Sequence, residues 1–340
     1  MSERRRRRAT FVVLAALLPV ALVMATAAGS VSLPVRGLLS SVLASIGLRS
    51  VSELGPTGEA ILWTVRLPRV LLAALVGGGL AVVGATLQSV FRNPMADAGL
   101  LGVGSGAALG AVLAVRLGFS SDVFLALPLA AFAGAMAASL AVYALAYAGG
   151  RASLHGLLLT GLAISALAAA GTSVLLVATD EFRVKTVLFW LAGGLEGRGW
   201  THLKVGGALV LAGGALLALL SRPLDLLSLG EEEAAALGLP VHVTRLGLLA
   251  LASLVAGTAT SLAGSVPFVG LIAPHALRPL VGPLCRHLLP ASFLAGAVLV
   301  VLADLASRTL SPSMDLPLGS LTAFLGAPYF LVALRASESR

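Results

Sequence analysis

The sequence predicts an all-α integral membrane protein, a single domain over residues 1–340 with about ten transmembrane helices. Hydrophobic residues make up 58% of the chain and charged residues only 11%, whereas a soluble domain carries about 25% charged residues on its surface. The mean hydropathy of +1.00 also indicates lipid as the solvent. The 39 glycines favour a helical bundle, because small residues let helices approach closely in lipid. Long continuous apolar runs, without the alternating segments of a barrel, support the same class.

Breaks in the hydropathy divide the chain into ten predicted spans. They lie near residues 11–28, 70–90, 100–117, 123–147, 157–178, 202–220, 244–263, 266–281, 290–306 and 318–334. The arginines at 4–8 precede the first span, so the positive-inside rule predicts a cytoplasmic N-terminus. An even number of spans then places both termini on the cytoplasmic side of the membrane. Residues 1–28 also resemble a signal peptide, but we favour an uncleaved span. The connection 31–63 is expected to form short helices at the outer interface.

Several function classes find no support in the sequence. It contains no P-loop, no Gly-rich dinucleotide signature and no nucleophile elbow, so we expect no catalytic site and no cofactor. Cys285 is the only cysteine and the five histidines are scattered, so we expect no metal site. The formal net charge of +8 comes from basic residues at span ends. Their position indicates anchoring in membrane lipid and not a nucleic-acid partner.

The connection 221–243 is the most informative polar segment. Asp225 or Ser228 is predicted to cap a short helix, the glutamates at 231–233 suit the positive N-terminal end of that helix, and Gly238 would end it. A cytoplasmic helix held between two spans is a candidate coupling element.

Charged residues mark the outer ends of two predicted spans. Arg66 and Arg69 begin and end the sequence RLPR, and we expect them to project just above the bilayer. They either snorkel to lipid headgroups or pair with the carboxylates of a partner protein. Asp304 lies near the outer end of the ninth span, where Arg308 can pair with it at i,i+4 spacing.

Two motifs interrupt the apolar runs. The sequence FRNPMAD at 91–97 contains the helix-breaking pair Asn-Pro, followed by several glycines. It predicts either a reverse turn or a gate. The sequence GSVPFVG at 264–270 also breaks a helix. Broken helices at membrane depth tend to line cavities, although many proline kinks serve only packing.

Six segments, in this order and spacing, resemble the FecCD-type permeases, the membrane subunits of ABC importers for ferric siderophores, haem and cobalamin. The segments are RLPR, GATLQSVFRNPMADAGLLGVGSGAALGA, FWLAGGLEGRGW, LGEEEAAALGLPV, GSVPFVGLIAPHALRPLVG and ADLASRTLSPSMDLPLGSLTAFLGAPYFL. The resemblance implies the ten-helix bundle of a type II importer. It also implies a homodimer, two cytoplasmic ATPase subunits and an external substrate-binding protein, with an iron complex or cobalamin as the substrate.

The resemblance also implies roles for individual residues. Docking of the binding protein falls to Arg66, Arg69 and Arg308. Coupling to the ATPase falls to Glu231, Glu232, Glu233, Ala235, Leu237 and Gly238. Gate positions are Asn93 and Met95, with Leu154 and His155 at a second gate. Leu154 and His155 depart from the family's small polar residues, and Met314-Asp315-Leu316-Pro317 replaces a more usual Glu-Leu-Pro.

An ion-coupled secondary transporter is the alternative function. Such a transporter needs ionisable residues deep in its spans, because burying a charge in hydrocarbon is costly unless it serves ion movement. The predicted spans contain almost none, and Asp304 is the main exception. The sequence therefore favours an importer that depends on partner subunits.

Overall fold

The computed structural model describes residues 2–29, 31–48, 52–119, 125–147, 154–311 and 315–338. All regular structure in these ranges is helical, as predicted. The α-helices are α1 (Glu3–Ala27), α2 (Val35–Ser45), α3 (Pro56–Ala60), α4 (Leu67–Val90), α5 (Val103–Arg116), α6 (Ala126–Tyr147), α7 (Leu154–Val177), α8 (Glu181–Leu191), α9 (Trp200–His202), α10 (Ala208–Leu219), α11 (Ser221–Leu229), α12 (Glu231–Ala236), α13 (Val241–Ala263), α14 (Val269–Val281), α15 (Cys285–Thr309) and α16 (Leu318–Glu338). Short π-helical segments, Ile61–Arg66 and Leu203–Gly207, lead into α4 and α10.

Each predicted span corresponds to a helix of the structure. In the described chain, seven helical segments are long and apolar enough to cross a membrane: Glu3–Ala27, Pro56–Val90, Ala126–Tyr147, Leu154–Val177, Trp200–Leu219, Val241–Ala263 and Cys285–Thr309. The other three predicted spans are shorter apolar helices, Val103–Arg116, Val269–Val281 and Leu318–Val332. The third span starts later than predicted because a 3₁₀ turn, Ala98–Leu101, takes up its first residues. The short helices α2 and α3 lie in the connection 31–63, as expected.

Helix α4 forms the centre of the bundle, and nearly all of its residues are buried. It packs against α10, α13, α14 and α15. Glycines allow two of these approaches. A Cβ on Gly84 would lie 1.8 Å from the carbonyl oxygen of Gly270 in α14, and a Cβ on Gly77 would lie 2.2 Å from that of Gly296 in α15. Close backbone packing through small residues, expected from the glycine content, is therefore confirmed.

The predicted break after the seventh span is also confirmed. Helix α13 ends at Ala263, and the chain reverses through two residues of positive φ, Gly264 (67°) and Phe268 (67°), before α14 begins. The loop between α8 and α9 holds this turn, since its Gly194 amide donates a hydrogen bond to the carbonyl of Ala263 at 2.8 Å. The amide of Leu318 donates to Gly193 of the same loop at 2.9 Å, which ties the start of α16 to the turn.

Candidate functional site

Three arginines and two aspartates meet at the end of the bundle where α1 finishes. This arginine cluster consists of Arg66, Arg69, Arg308, Asp304 and Asp315. Arg66 ends the π-helical segment before α4, Arg69 lies in the first turn of α4, and Arg308 lies in the last turn of α15. The antiparallel packing of α4 on α15 therefore brings together residues that are far apart in the sequence.

Asp304 is the centre of the cluster and is 1% exposed. Its Oδ1 accepts a hydrogen bond from Nε of Arg69 at 2.9 Å, and its Oδ2 accepts one from Nε of Arg308 at 3.1 Å. The pairing with Arg308 confirms the prediction from i,i+4 spacing. The pairing with Arg69 was not predicted, because local spacing says nothing about a contact across 235 positions. A second carboxylate, that of Asp315, accepts from Nη2 of Arg69 at 2.9 Å.

The other arginine N–H groups bind the C-terminal end of α1. Arg308 donates to the carbonyl oxygens of Ala25 (2.8 Å) and Ala28 (3.1 Å), and Arg66 donates to that of Thr26 (2.8 Å). The last carbonyls of a helix lack intrahelical partners and carry the negative end of its dipole. The two cations therefore fasten α1 to α4 and α15.

The expectation that Arg66 and Arg69 project just above the bilayer is wrong. Arg66 is 5% exposed and Arg69 is 9% exposed, because the end of α1 and the two aspartates surround them. They reach solvent through a cavity of about 220 Å³. Its lining consists of Gly29, Val31, Ile61, Val65, Arg66, Arg69, Arg308 and Asp315. The three residues predicted for docking thus share one cavity, and their docking role stays a prediction.

The segment 221–243 forms α11 and α12 and returns the chain to α13. Glu231 in the first turn of α12 forms an ion pair with Arg245 of α13, which is 1% exposed. Ala234, on the inner face of α12, is fully buried. The remaining residues predicted for coupling, Glu232, Glu233, Ala235, Leu237 and Gly238, are exposed. Helix α12 therefore has one anchored face and one open face, which combines acidic side chains with the 62% exposed Leu237.

The predicted cap of this short helix is wrong. Helix α11 runs to Leu229, so Asp225 and Ser228 lie inside it and cannot reach the first amides of α12. The N-cap is Gly230, whose φ of 143° lets the chain turn between the two helices. Asp225 instead accepts a hydrogen bond from the amide of Cys285 at 2.7 Å and so caps α15. Gly238, at φ 83°, follows the end of α12 as predicted.

The predicted gate residues lie in two separate places, the turn after α4 and the start of α7. The side-chain oxygen of Asn93 accepts from the amide of Met95 at 2.9 Å and closes the turn after α4. Leu154 and His155 begin α7, where Leu154 is half-buried and His155 is exposed. No hydrogen bond in the described chain joins the two pairs, and their gate roles stay predictions.

A cavity of about 150 Å³ lies where the two interrupted segments meet. Its lining consists of Leu80, Asp97, Ala98, Gly99, Gly104, Thr260, Ser265, Val266, Pro267, Phe268 and Gly270. The expectation that a broken helix lines a cavity is confirmed for the motif at 264–270, which supplies five of these residues, whereas the motif at 91–97 supplies only Asp97. The described residues contain no group of three His, Cys, Asp or Glu side chains suited to a metal ion.

The model of the FecCD transport family matches residues 17–336, a range that includes the arginine cluster, α12 and both interrupted segments. The chain belongs to the FecCD transport family. A cobalamin import system permease protein from Halobacterium salinarum is 44% identical over 284 residues, which cover 84% of this chain and 76% of that protein. A hemin transport system permease protein from Yersinia pestis is 42% identical over 280 residues, which cover 81% and 84% respectively.

A solved structure shares the fold over nearly the whole chain. It is described as an inward-facing conformation of an ABC transporter of a proposed metal-chelate type. It superposes with a TM-score of 0.83 at 34% identity and covers 97% of this chain and 99% of its own. This FecCD protein is therefore a multi-pass permease of the ABC importer class, which confirms the prediction over the ion-coupled alternative.

Proposed function

We propose that this FecCD permease passes an iron complex, namely a ferric siderophore or haem, or alternatively cobalamin, into the cytoplasm. The names of its relatives support this substrate class, since one is a cobalamin permease and another a hemin permease. The segment FRNPMADAGLLGVGSGAALGA inclines us toward an iron chelate or haem. The chain supplies the path and binds no cofactor, while ATP is hydrolysed by a separate subunit.

The proposed assembly contains two copies of this chain, two ATPase subunits and one external substrate-binding protein. It lies in the inner membrane of a prokaryote, with both termini in the cytoplasm. Two features support this orientation. The arginines at 4–8 begin α1, as the positive-inside rule requires of a cytoplasmic end. The arginine cluster lies at the opposite end of α1, where an external protein would approach.

The segment 221–243 is proposed to couple the permease to the ATPase. This proposal is supported by the different contacts of the two faces of α12. Its inner face is tied to a span through Glu231 and Arg245, so a push on α12 moves α13. Its open face presents Glu232, Glu233 and Leu237, a mixture of charge and apolar surface that suits a protein partner.

The arginine cluster is proposed as the docking site for carboxylates of the binding protein. Guanidinium groups bind carboxylates with two parallel hydrogen bonds, which gives both affinity and orientation. Three such groups line one cavity at the proposed outer face. In the described chain, Arg66 donates to carbonyl oxygens and not to a carboxylate, so its charge is open to a partner.

ATPase activity in a lipid bilayer tests the proposed function. The chain is reconstituted with its candidate ATPase, with and without the binding protein, as wild type and as Glu232→Arg. We expect the binding protein and its loaded substrate to stimulate hydrolysis in wild type and not in E232R. The control is Arg116→Gln, which changes an exposed charge at the far end of α5. Uptake of iron chelates, haem and cobalamin then identifies the substrate.

The results separate the parts of the proposal. An ATPase that does not bind the wild-type chain would refute the importer assembly. Equal stimulation of wild type and E232R would instead remove α12 from the coupling surface, because a reversed charge at a buried contact costs several kcal/mol.

A further inference from the structure

We propose that Asp315 is a resident counter-ion of the docking site, which a carboxylate of the binding protein displaces from Arg69. The inference rests on the proposed docking role of the arginine cluster. It makes Asp315 a positioning residue that competes with the partner for the same guanidinium group.

The two carboxylates that contact Arg69 differ in how firmly they are held. Asp304 has a 1% exposed side chain and binds both Arg69 and Arg308, so its departure would break two buried ion pairs at once. The side chain of Asp315 is 36% exposed and contacts Nη2 of Arg69 at 2.9 Å. An exposed carboxylate regains water when it leaves, whereas a buried one does not. Asp304 is therefore the permanent partner of Arg69, and Asp315 is the exchangeable one.

Asp315 also lies where an incoming side chain can reach Arg69. The cavity of about 220 Å³ that contains Arg66 and Arg308 has Arg69 and Asp315 in its wall. A second cavity, of about 310 Å³, has the same two residues in its wall and extends toward Glu196. A carboxylate entering either cavity meets Arg69 with Asp315 already bound to it.

The exchange requires little movement of the backbone. The amide of Leu316 donates to the carbonyl of Ser307 at 2.9 Å, and the amide of Leu318 donates to that of Gly193 at 2.9 Å. These bonds hold the chain directly after Asp315. Rotation of its side chain is therefore sufficient to release Arg69.

The charges favour the incoming group over Asp315. A partner carboxylate between Arg66 and Arg69 gains two cations, whereas Asp315 contacts only Arg69 among the described ion pairs. Its departure then reduces the repulsion between Asp315 and the partner. Removing the Asp315 charge should consequently strengthen docking, which is the opposite of what loss of a purely structural contact would do.

This inference is tested by measuring the affinity of the permease, in lipid nanodiscs, for its candidate substrate-binding protein. We expect Asp315→Asn to bind the fluorescently labelled binding protein about fivefold more tightly, the effect of removing one partly exposed ion pair. Asp315→Glu restores a carboxylate and should return the affinity to near the wild-type value. Glu196→Gln is the matched control, because it removes an exposed charge from the wall of the second cavity without freeing Arg69.

Each outcome decides one point. Wild-type or weaker affinity in D315N overturns the inference, and so does an equal gain in D315N and E196Q, which would reflect general charge. Arg66→Gln reports on docking itself and leaves no carboxylate of the described chain unpaired. Unchanged affinity in R66Q would refute the docking site. Weaker binding in R66Q with no gain in D315N would refute only the role of Asp315.

Discussion

Replacing Glu231 with glutamine should loosen α12 from α13, because it removes the charge partner of a buried arginine. The side chain of Arg245 is 2% exposed, and that of Glu231 is 48% exposed. In the described chain, Nε and Nη1 of Arg245 have no hydrogen-bond partner. Glu231 is thus the group that compensates this cation. Glutamine at position 231 would keep a hydrogen-bond acceptor but carry no charge.

The exposure of the two side chains sets the size of the effect. Breaking a fully buried ion pair costs about 3–5 kcal/mol, and an exposed pair contributes about 0.2–1 kcal/mol. The pair between Glu231 and Arg245 lies between these limits, since water reaches one partner and not the other. We expect E231Q to lower the free energy of unfolding by about 2 kcal/mol. Coupling to Arg245→Met in a double-mutant cycle should amount to about 1–2 kcal/mol.

Unfolding of the purified permease in mixed detergent micelles measures these energies. Four proteins are needed: wild type, E231Q, R245M and the double variant. Glu232→Gln is the control, because this neighbour in the same turn is exposed and should stay within about 0.5 kcal/mol of wild type. Single-variant effects that add within about 0.5 kcal/mol would refute the anchoring of α12 through this pair.

Two further predictions concern packing and the buried charges. Gly84→Ala should destabilise the bundle by about 1–3 kcal/mol through overpacking against the carbonyl of Gly270. Gly247→Ala, where a Cβ meets nothing within 4 Å, should be neutral or stabilising in the same thermal assay. Equal melting temperatures of the two variants would contradict the close approach of α4 to α14. Asp304→Asn should cost about 3–5 kcal/mol, because Arg308 loses the only carboxylate that it contacts among the described ion pairs, and Arg69 keeps only Asp315. Retention of wild-type thermal stability by D304N would show that these cations are compensated elsewhere.

The helices were predictable because membrane spans depend on a local quantity. Each span needs a continuous apolar run, and every such run became a helix. Their ends were harder to predict. Helix α5 starts later than predicted because the glycines after Asp97 allow a 3₁₀ turn. Helix α11 was missed although it carries a signal, Pro223 in the first turn followed by buried Leu224 and Leu227 at i,i+3 spacing.

The candidate site was predictable as a set of residues but not as a geometry. The sequence identified Asp304 with Arg308, since one helical turn separates them. It did not pair Asp304 with Arg69, nor Arg245 with Glu231, because each pair joins two different elements. The burial of Arg66 and Arg69 could not be predicted for the same reason. A cation at a span end looks exposed until the helix that covers it is known.

The net charge of the arginine cluster determines how many new ion pairs a partner protein can form with it. Three arginines and two aspartates leave a net charge of 3 − 2 = +1, so one cation per subunit is available without rearrangement. The cluster also holds the end of α1, and the carbonyl bonds of Arg308 and Arg66 would be lost if a partner drew the guanidinium groups outward. A partner that left the fold intact would therefore use the hydrogen-bonding positions that Asp315 gives up. Under the proposed docking role, the release of Asp315, and not the number of arginines, would limit the strength of docking.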